Sequence, residues 1–352
     1  MTSHSLFIGT YTRDGSKGIY ALRLDGASGE LSTPALAAEA KGPSYLALSP
    51  NHERLYAVSE SDAMAVAFAI SPDRATLTAL AVPQSAGGTA PCHLAVDHTG
   101  RVLVVANYHT GVVASLPIAP DGTLRAPASV IQHTGSSVNP QRQSSPHAHS
   151  VTVSPDNRFV LACDLGVDKI FTYRLDPETA TLAPGTPAFT PVKPGAGPRH
   201  FAFAPDGRYA FMIAEMGSSI TAYRYDAANG SLTETDSAST LPANFQGENT
   251  SAAVRVHPNG RFVYGSNRGH DSIAVFAFDE PKGRLALVEI VPSGGKGPRD
   301  FALSPDGRWL VAAHQYSNSL TVFRVDPATG RLTATPQTAS VSMPVCVLFA
   351  DR

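Results

Sequence analysis

Apolar and polar residues alternate with a period of two along much of the chain, as in Ile220-Thr-Ala-Tyr-Arg-Tyr225, Ile273-Ala-Val-Phe-Ala-Phe278 and Leu320-Thr-Val-Phe-Arg-Val325. Such alternation predicts β-strands. One longer phrase recurs six times: an apolar run, then Ser-Pro-Asp-Gly-Arg or a variant, then a second apolar run. The copies start at Leu46, Leu94, Val151, Phe201, Val254 and Phe301, and their arginines (Arg54, Arg101, Arg158, Arg208, Arg261, Arg308) are 47, 57, 50, 53 and 47 residues apart. That period is close to a propeller blade. Each copy predicts two strands around a tight turn, and the alternating run after it predicts a third. An Asp-x-x-x-Gly-x-Leu turn then leads to a fourth, at Asp25, Asp226, Asp279 and Asp326 and in looser form at Asp73, Asp121 and Asp176. Seven such turns against six hairpin phrases require the two ends of the chain to share a blade. The expected fold is all-β: a seven-bladed β-propeller of four-stranded antiparallel blades, residues 1–352 as one domain. The C-terminal run from Met343 supplies the innermost strand of the shared blade, and closure removes free sheet edges.

Composition agrees. With 29 Gly, 28 Pro, 16% charged and 43% hydrophobic residues, the chain is too turn-rich for a coiled coil and too apolar for disorder. A net charge of −2 without a basic run lacks the footprint of a nucleic-acid or anionic-membrane binder. The partner expected is a small anionic molecule, with no nucleic acid and no membrane, the protein being a monomer or weak homo-oligomer. Cys92, Cys163 and Cys346 are isolated, which favours a reducing compartment over a disulfide or zinc framework and reads as core filling. No signal-like or bilayer-length apolar stretch is visible, so a cytoplasmic protein is expected. A single Trp, Trp309, means that the repeated Trp-Asp of scaffold propellers is missing.

The turn reverses the innermost strand into the second, so residues before the first strand and after the second lie at one end of every blade, the mouth of the central channel. The first set includes Ser44, Cys92, His149, Arg199, Ala252 and Arg299, followed by Tyr45, His93, Ser150, His200, Ala253 and Asp300. The second set includes Glu60, Asn107, Tyr108, Asp164, Glu215, Asn267, Arg268, His314 and Gln315. Arginines, histidines and carboxylates converging on one mouth suit an anionic substrate and acid-base chemistry. The insertion His133 to His149 and a second from Leu241 enter the same end, where insertions in repeat proteins often build sites. His147 and His149, at i and i+2, would share a strand face and form a candidate metal pair, but no third ligand is evident and no metal is expected. Simple ion pairing remains open for Arg199 and Arg299, with Asp300 or Glu215 as partner, and loop capping for Asp164 and Asn267.

GTYT at Gly9, RQSSPHAHS, CDLG at Cys163, GPRH at Gly197, Glu215, SNRGHDSIAVF at Ser266 and GPRDFALSPDGR at Gly297 resemble the seven-bladed lactonase family. That family includes the propeller-type 6-phosphogluconolactonases and the fungal 3-carboxy-cis,cis-muconate lactonizing enzyme. The resemblance runs from the first strand to the last and implies lactone chemistry at the mouth without metal or cofactor. It places His149, Arg199, Glu215 and Arg268 as catalytic. Ala253 stands where the family usually has an acidic residue, and Ala214 and His314 where it has asparagine. Hydrolysis of a sugar lactone needs an activated water, an oxyanion partner and a proton for the leaving oxygen. His149, with an ordinary pKa near ~6.5, suits the base better than a glutamate near ~4.3. Glu215 would orient it or the water, unless burial exchanges the two roles. Arg199 and Arg268 are oxyanion or carboxylate partners, and Arg299 with His200 is a phosphate clamp. His147, Asn267, Gln315 and Asp164 complete the expected substrate contacts. A muconate-type cycloisomerase and a non-catalytic binding propeller are the alternatives.

Overall fold

A computed structural model describes residues 3–351. Its strands form seven antiparallel sheets, each running from an innermost to an outermost strand. Numbered from the blade that begins at Leu46, the innermost strands are Leu46–Leu48, Pro91–Val96, Ala148–Val153, Pro198–Phe203, Thr250–Val256, Pro298–Leu303 and Pro344–Phe349. Each touches the innermost strands on both sides, so the ring closes. Blade seven is shared: Pro344–Phe349 pairs with Ser3–Thr10, which pairs with Gly18–Asp25 and then Ala35–Glu39. Leu6 lies opposite Phe349 and Phe7 opposite Leu348.

The core is divided into seven clusters, each packed between two neighbouring blades. A sheet covered on both faces does not need to alternate, and Val102–Asn107 is buried at every position. Alternation shows toward the outer ends of third strands, as at Tyr223 to Asp226, and along outermost strands such as Ser129–Gln132. Trp309 joins blade six to blade seven, packing with Leu22 and Leu24 and donating from its indole N–H to the Gly26 carbonyl at 3.1 Å.

In blades one, three and six the repeated turn is closed by its serine. In blade six the Ser304 amide donates to the Trp309 carbonyl at 2.8 Å and the Ser304 hydroxyl accepts the Trp309 amide at 3.0 Å. The Asp turns are capped locally, Asp25 accepting the amides of Ala27 and Ser28. Two elements depart from the repeat. Asp279 leads into a 3-10 turn, Glu280–Lys282, without a side-chain cap, and the outer strand of blade one is split into Leu77–Ala79 and Gln84–Ser85. Pro83, which has no N–H to pair, lies at the break.

The feature that makes the site is a β-bulge near the start of the innermost strand. Ala148 pairs with Asp164 and Ser150 with Cys163, which leaves His149 between them. In the same way Arg199 lies between Pro198 and His200, Arg299 between Pro298 and Asp300, and Cys92 between Pro91 and His93. Blade five has the same one-residue excess, with Ala252 and Ala253 opposite Ser266 alone. A bulge breaks period-2 facing and re-aims the extra side chain. It also explains the prolines of GPRH and GPRD, since the first residue of a strand can lack a donor.

Candidate active site

At the mouth, a cavity of about 360 Å³ is lined by the bulged residues Cys92, His149 and Arg299, by Glu60, Tyr108, Glu215 and Arg268 at or just beyond the ends of the second strands, and by Arg142 from the insertion. Both His149 and Arg268 therefore face one cavity. Arg199 lies below it, 2% exposed, donating to the Ala252 carbonyl at 2.6 Å and to His200 Nε2 at 3.1 Å.

Glu215 is the hub. One carboxylate oxygen accepts from Arg142 at 2.7 Å; the other meets Arg199 Nε at 2.9 Å and Arg268 at 3.1 Å. Burial alone would raise its pKa, but Arg268, Arg199 and the Arg142 hydrogen bond outweigh it and hold the carboxyl well below the usual range. Glu215 is an anion throughout neutral pH and cannot donate a proton there. Burial pushes the His149 imidazole well below its ordinary value, and Arg199 pushes it further. The ring is therefore neutral. Its Nδ1 is buried with no partner among the protein atoms, so Nε2 is the nitrogen the cavity can reach.

Arg299 differs from the other guanidiniums: among the described residues it makes no ion pair, and it lies 5.3 Å from the Tyr11 ring. Although burial acts against its charge, Tyr11 and Glu215 outweigh that and raise its pKa. Asp300, its sequence neighbour, is engaged elsewhere, 2.7 Å from Arg255. With Arg142, Arg199, Arg268 and Arg299 against Glu60 and Glu215, the cavity and its floor are cationic.

The insertion is built to present Arg142. Asn139 accepts the amides of Gln141 and Arg142 and closes the turn. Gln143, fully buried, donates to the Leu165 carbonyl at 2.9 Å. At Gly166 a Cβ would come within 2.0 Å of the Ser145 carbonyl, so only glycine lets the insertion pass. Gly269, at φ +113°, plays that part beside Arg268, where a Cβ would meet the Glu248 carbonyl at 2.3 Å.

The residue range 5–349 matches the family model described as Lactonase, 7-bladed beta-propeller. The chain belongs to this lactonase family. It is 40% identical to the 6-phosphogluconolactonase of Bacillus subtilis (strain 168) over the whole of both chains. Among solved structures, a periplasmic gluconolactonase of Pseudomonas aeruginosa is 36% identical with a TM-score of 0.94 over 99% of each chain. A protein from Lactobacillus plantarum is 34% identical with a TM-score of 0.91, again over 99% of each.

Within this lactonase, several residues expected to touch substrate stand behind the cavity wall. Asp164 is wholly buried, its oxygens accepting the His147 and Gly166 amides and meeting His133 Nδ1 at 2.6 Å. Asn267 spends its amide on Thr240, Ser251 and Ser272. Both are braces. His147 precedes the strand, and the bulge separates it from His149: its Nδ1 lies 2.9 Å from the Tyr108 carbonyl and its ring stacks on Tyr108 at 4.6 Å. The bulge at His149 breaks the period-2 facing expected between the two histidines, and both rings pack against Tyr108. Gln315 is buried outside the wall. His200 lies one layer below the cavity, among Tyr45, His93 and His149, and does not line it as Arg299 does, so the two do not face the cavity together as a phosphate clamp. Cys92, read as core filling, lines the cavity instead, its thiol donating to the His149 carbonyl at 3.3 Å and pushed up by burial and Glu60.

Arg142 is the residue that sequence reasoning left out. It lies outside the repeated phrase, so counting from the turn could not reach it; its signal was the turn-forming Asn139 and Pro140 just before it in an insertion already marked for the mouth.

Proposed function

We infer that this lactonase hydrolyses 6-phospho-glucono-1,5-lactone to 6-phosphogluconate, with His149 as base and proton shuttle. One observation carries the phosphate: a guanidinium, Arg299, faces the cavity with no carboxylate bound to it among the described residues. A doubly charged ester is the complement of that surplus. The full-length likeness to the Bacillus subtilis enzyme supports the same substrate.

In the reaction, neutral His149 takes a proton from water through Nε2 while the water oxygen attacks the lactone carbonyl carbon. The carbonyl electron pair moves onto oxygen, where Arg268 stands as its counter-charge and Arg199 adds fixed charge from below. Collapse of the tetrahedral species breaks the bond to the ring oxygen, and the imidazolium returns its proton there. Glu215 takes no part in proton transfer. It holds Arg142, Arg199 and Arg268 in place, so the positive field exists before substrate arrives.

Purified protein assayed on fresh 6-phosphogluconolactone should exceed spontaneous hydrolysis, with unphosphorylated gluconolactone turned over less efficiently. No excess on either substrate overturns the lactonase reading, whereas equal kcat/KM on both removes the phosphate assignment. Ring closure of a carboxymuconate without water uptake would favour the cycloisomerase. The three free thiols support a reducing, cytoplasmic setting. No described helix is long and apolar enough to cross a membrane.

A further inference from the structure

Beneath the cavity lies a void of about 10 Å³, bounded by Tyr11, Ser44, Cys92, His149, His200 and Arg299 among others. That is close to the space one water molecule occupies. Two buried nitrogens in this layer, His149 Nδ1 and His200 Nδ1, have no hydrogen-bond partner among the described residues. The rings stand 5.4 Å apart between centroids, and His149 and His200 are each 4% exposed.

Tautomers follow from the neighbours. Arg199 can only donate, so His200 Nε2, 3.1 Å from it, is an acceptor and carries no proton. The His200 proton is therefore on Nδ1. If His149 is to accept a proton at Nε2, its own proton must likewise sit on Nδ1. Two N–H groups thus belong to residues that border one small void, and neither reaches an acceptor among the described residues, which is unfavourable for a buried donor.

We propose that an ordered water in this void accepts both N–H groups and gives its own hydrogens to oxygens lining the void, among them Ser44 Oγ, which already donates to Glu60 and so can accept; oriented in this way by the His200 N–H, the water holds the His149 proton on Nδ1 and leaves Nε2 free to face the lactone. His200 is then a positioning residue, outside the substrate cavity. The inference rests on the base assignment above for its catalytic consequence, although the water and the tautomer are properties of the resting protein. It assigns a purpose to a buried histidine that the reaction itself does not use. The tautomer of a catalytic or metal-bound imidazole is set by what its other nitrogen binds.

The test combines nitrogen-15 NMR of histidine, a crystal structure resolving ordered water, and two substitutions. In His200→Asn the amide nitrogen occupies the place of Nδ1 and keeps the donor to the void; in His200→Gln the amide reaches the place of Nε2 and loses it. The expected result is a proton on His149 Nδ1, density for one water between the rings, and a kcat about 10-fold lower in His200→Gln with KM little changed. His200→Asn should recover most of that loss and keep the His149 tautomer. A wild-type His149 protonated on Nε2, a void without density, or a bromide filling it in halide-grown crystals overturns the proposal. So does a His200→Gln enzyme with undiminished kcat. The NMR and density need no turnover, so a protein that fails to hydrolyse lactone defeats the substrate reading while leaving this one standing or falling on its own data.

Discussion

The two sides of the mouth handle charge in opposite ways. On the side of blades three to five, Glu215 gathers Arg142, Arg199 and Arg268 at 2.7–3.1 Å, and the group is nearly self-contained before any ligand binds. On the side of blades six and seven, Arg299 lies beside Tyr11 with no ion pair among the described residues. His149 stands on the first side. On the proposed mechanism, the contrast separates a preorganised field for the reacting carbon from a charge left open for the substrate. Rate should depend on the first and capture on the second.

Removing the base tests the rate side most severely. His149→Ala should lower kcat by about 10²- to 10⁴-fold, the usual range for a positioned acid-base group, while 6-phosphogluconate still binds with an affinity within severalfold of wild type. Product affinity measured by calorimetry alongside single-turnover kinetics checks this. A fall in binding as large as the fall in kcat would make His149 a capture residue and erase the division.

Glu215→Gln keeps the shape and removes the hub charge, leaving Arg199 and Arg268 buried without their counter-ion. Breaking one partner of a buried ion pair costs about 3–5 kcal/mol. Urea unfolding should register that loss, and refolded protein should lose kcat because the guanidiniums repel one another. An unchanged midpoint would mean that the triad of arginines needs no carboxylate.

Arg299→Leu belongs to the open side and should act differently. It should raise KM for the phosphorylated lactone about 10- to 100-fold, the order expected for a charge-assisted contact of about 1.5–3 kcal/mol, with kcat little altered. Steady-state assays on phosphorylated and unphosphorylated lactones compare the effect. Equal losses on the two substrates would move Arg299 to the rate side.

The same contrast bears on what could be read from the chain. The repeat was legible because each blade needs the same turn, and Ser304 and Asp25 show the hydrogen bonds that keep those residues in place. Counting from the turn located His149, Arg199, Glu215, Arg268 and Arg299 because the bulge recurs at the same register. It could not distinguish cavity wall from brace: Asp164 and Asn267 occupy rim positions but are consumed by neighbouring backbone and hydroxyl groups. Nor could it see that an extra residue breaks the alternation expected for His147 and His149, or that an insertion would carry Arg142 onto Glu215. Periodicity encodes what blades share, whereas the site draws on where they differ.

The smallest effect concerns pH. An unperturbed imidazole with pKa near 6.5 would be only about one-quarter neutral at pH 6, and a rate that depends on its neutral form would fall about fourfold from its plateau. His149 is shifted downward by burial and by Arg199, so its neutral form persists as pH drops through 6.5 and is lost only at a lower value. Between pH 7 and 6, kcat/KM should therefore stay nearly level, the acid limb appearing below that interval. Glu215, held lower still by Arg268 and Arg199, adds no limb in the same window. The substrate phosphate complicates the reading, because its second ionisation lies near pH ~6 and acts through Arg299. Unphosphorylated gluconolactone removes that ionisation. On this substrate a limb centred at 6.5 would show that neither burial nor the cationic field on the rate side lowers His149, and the two sides of the mouth would then be less distinct than their hydrogen bonds make them.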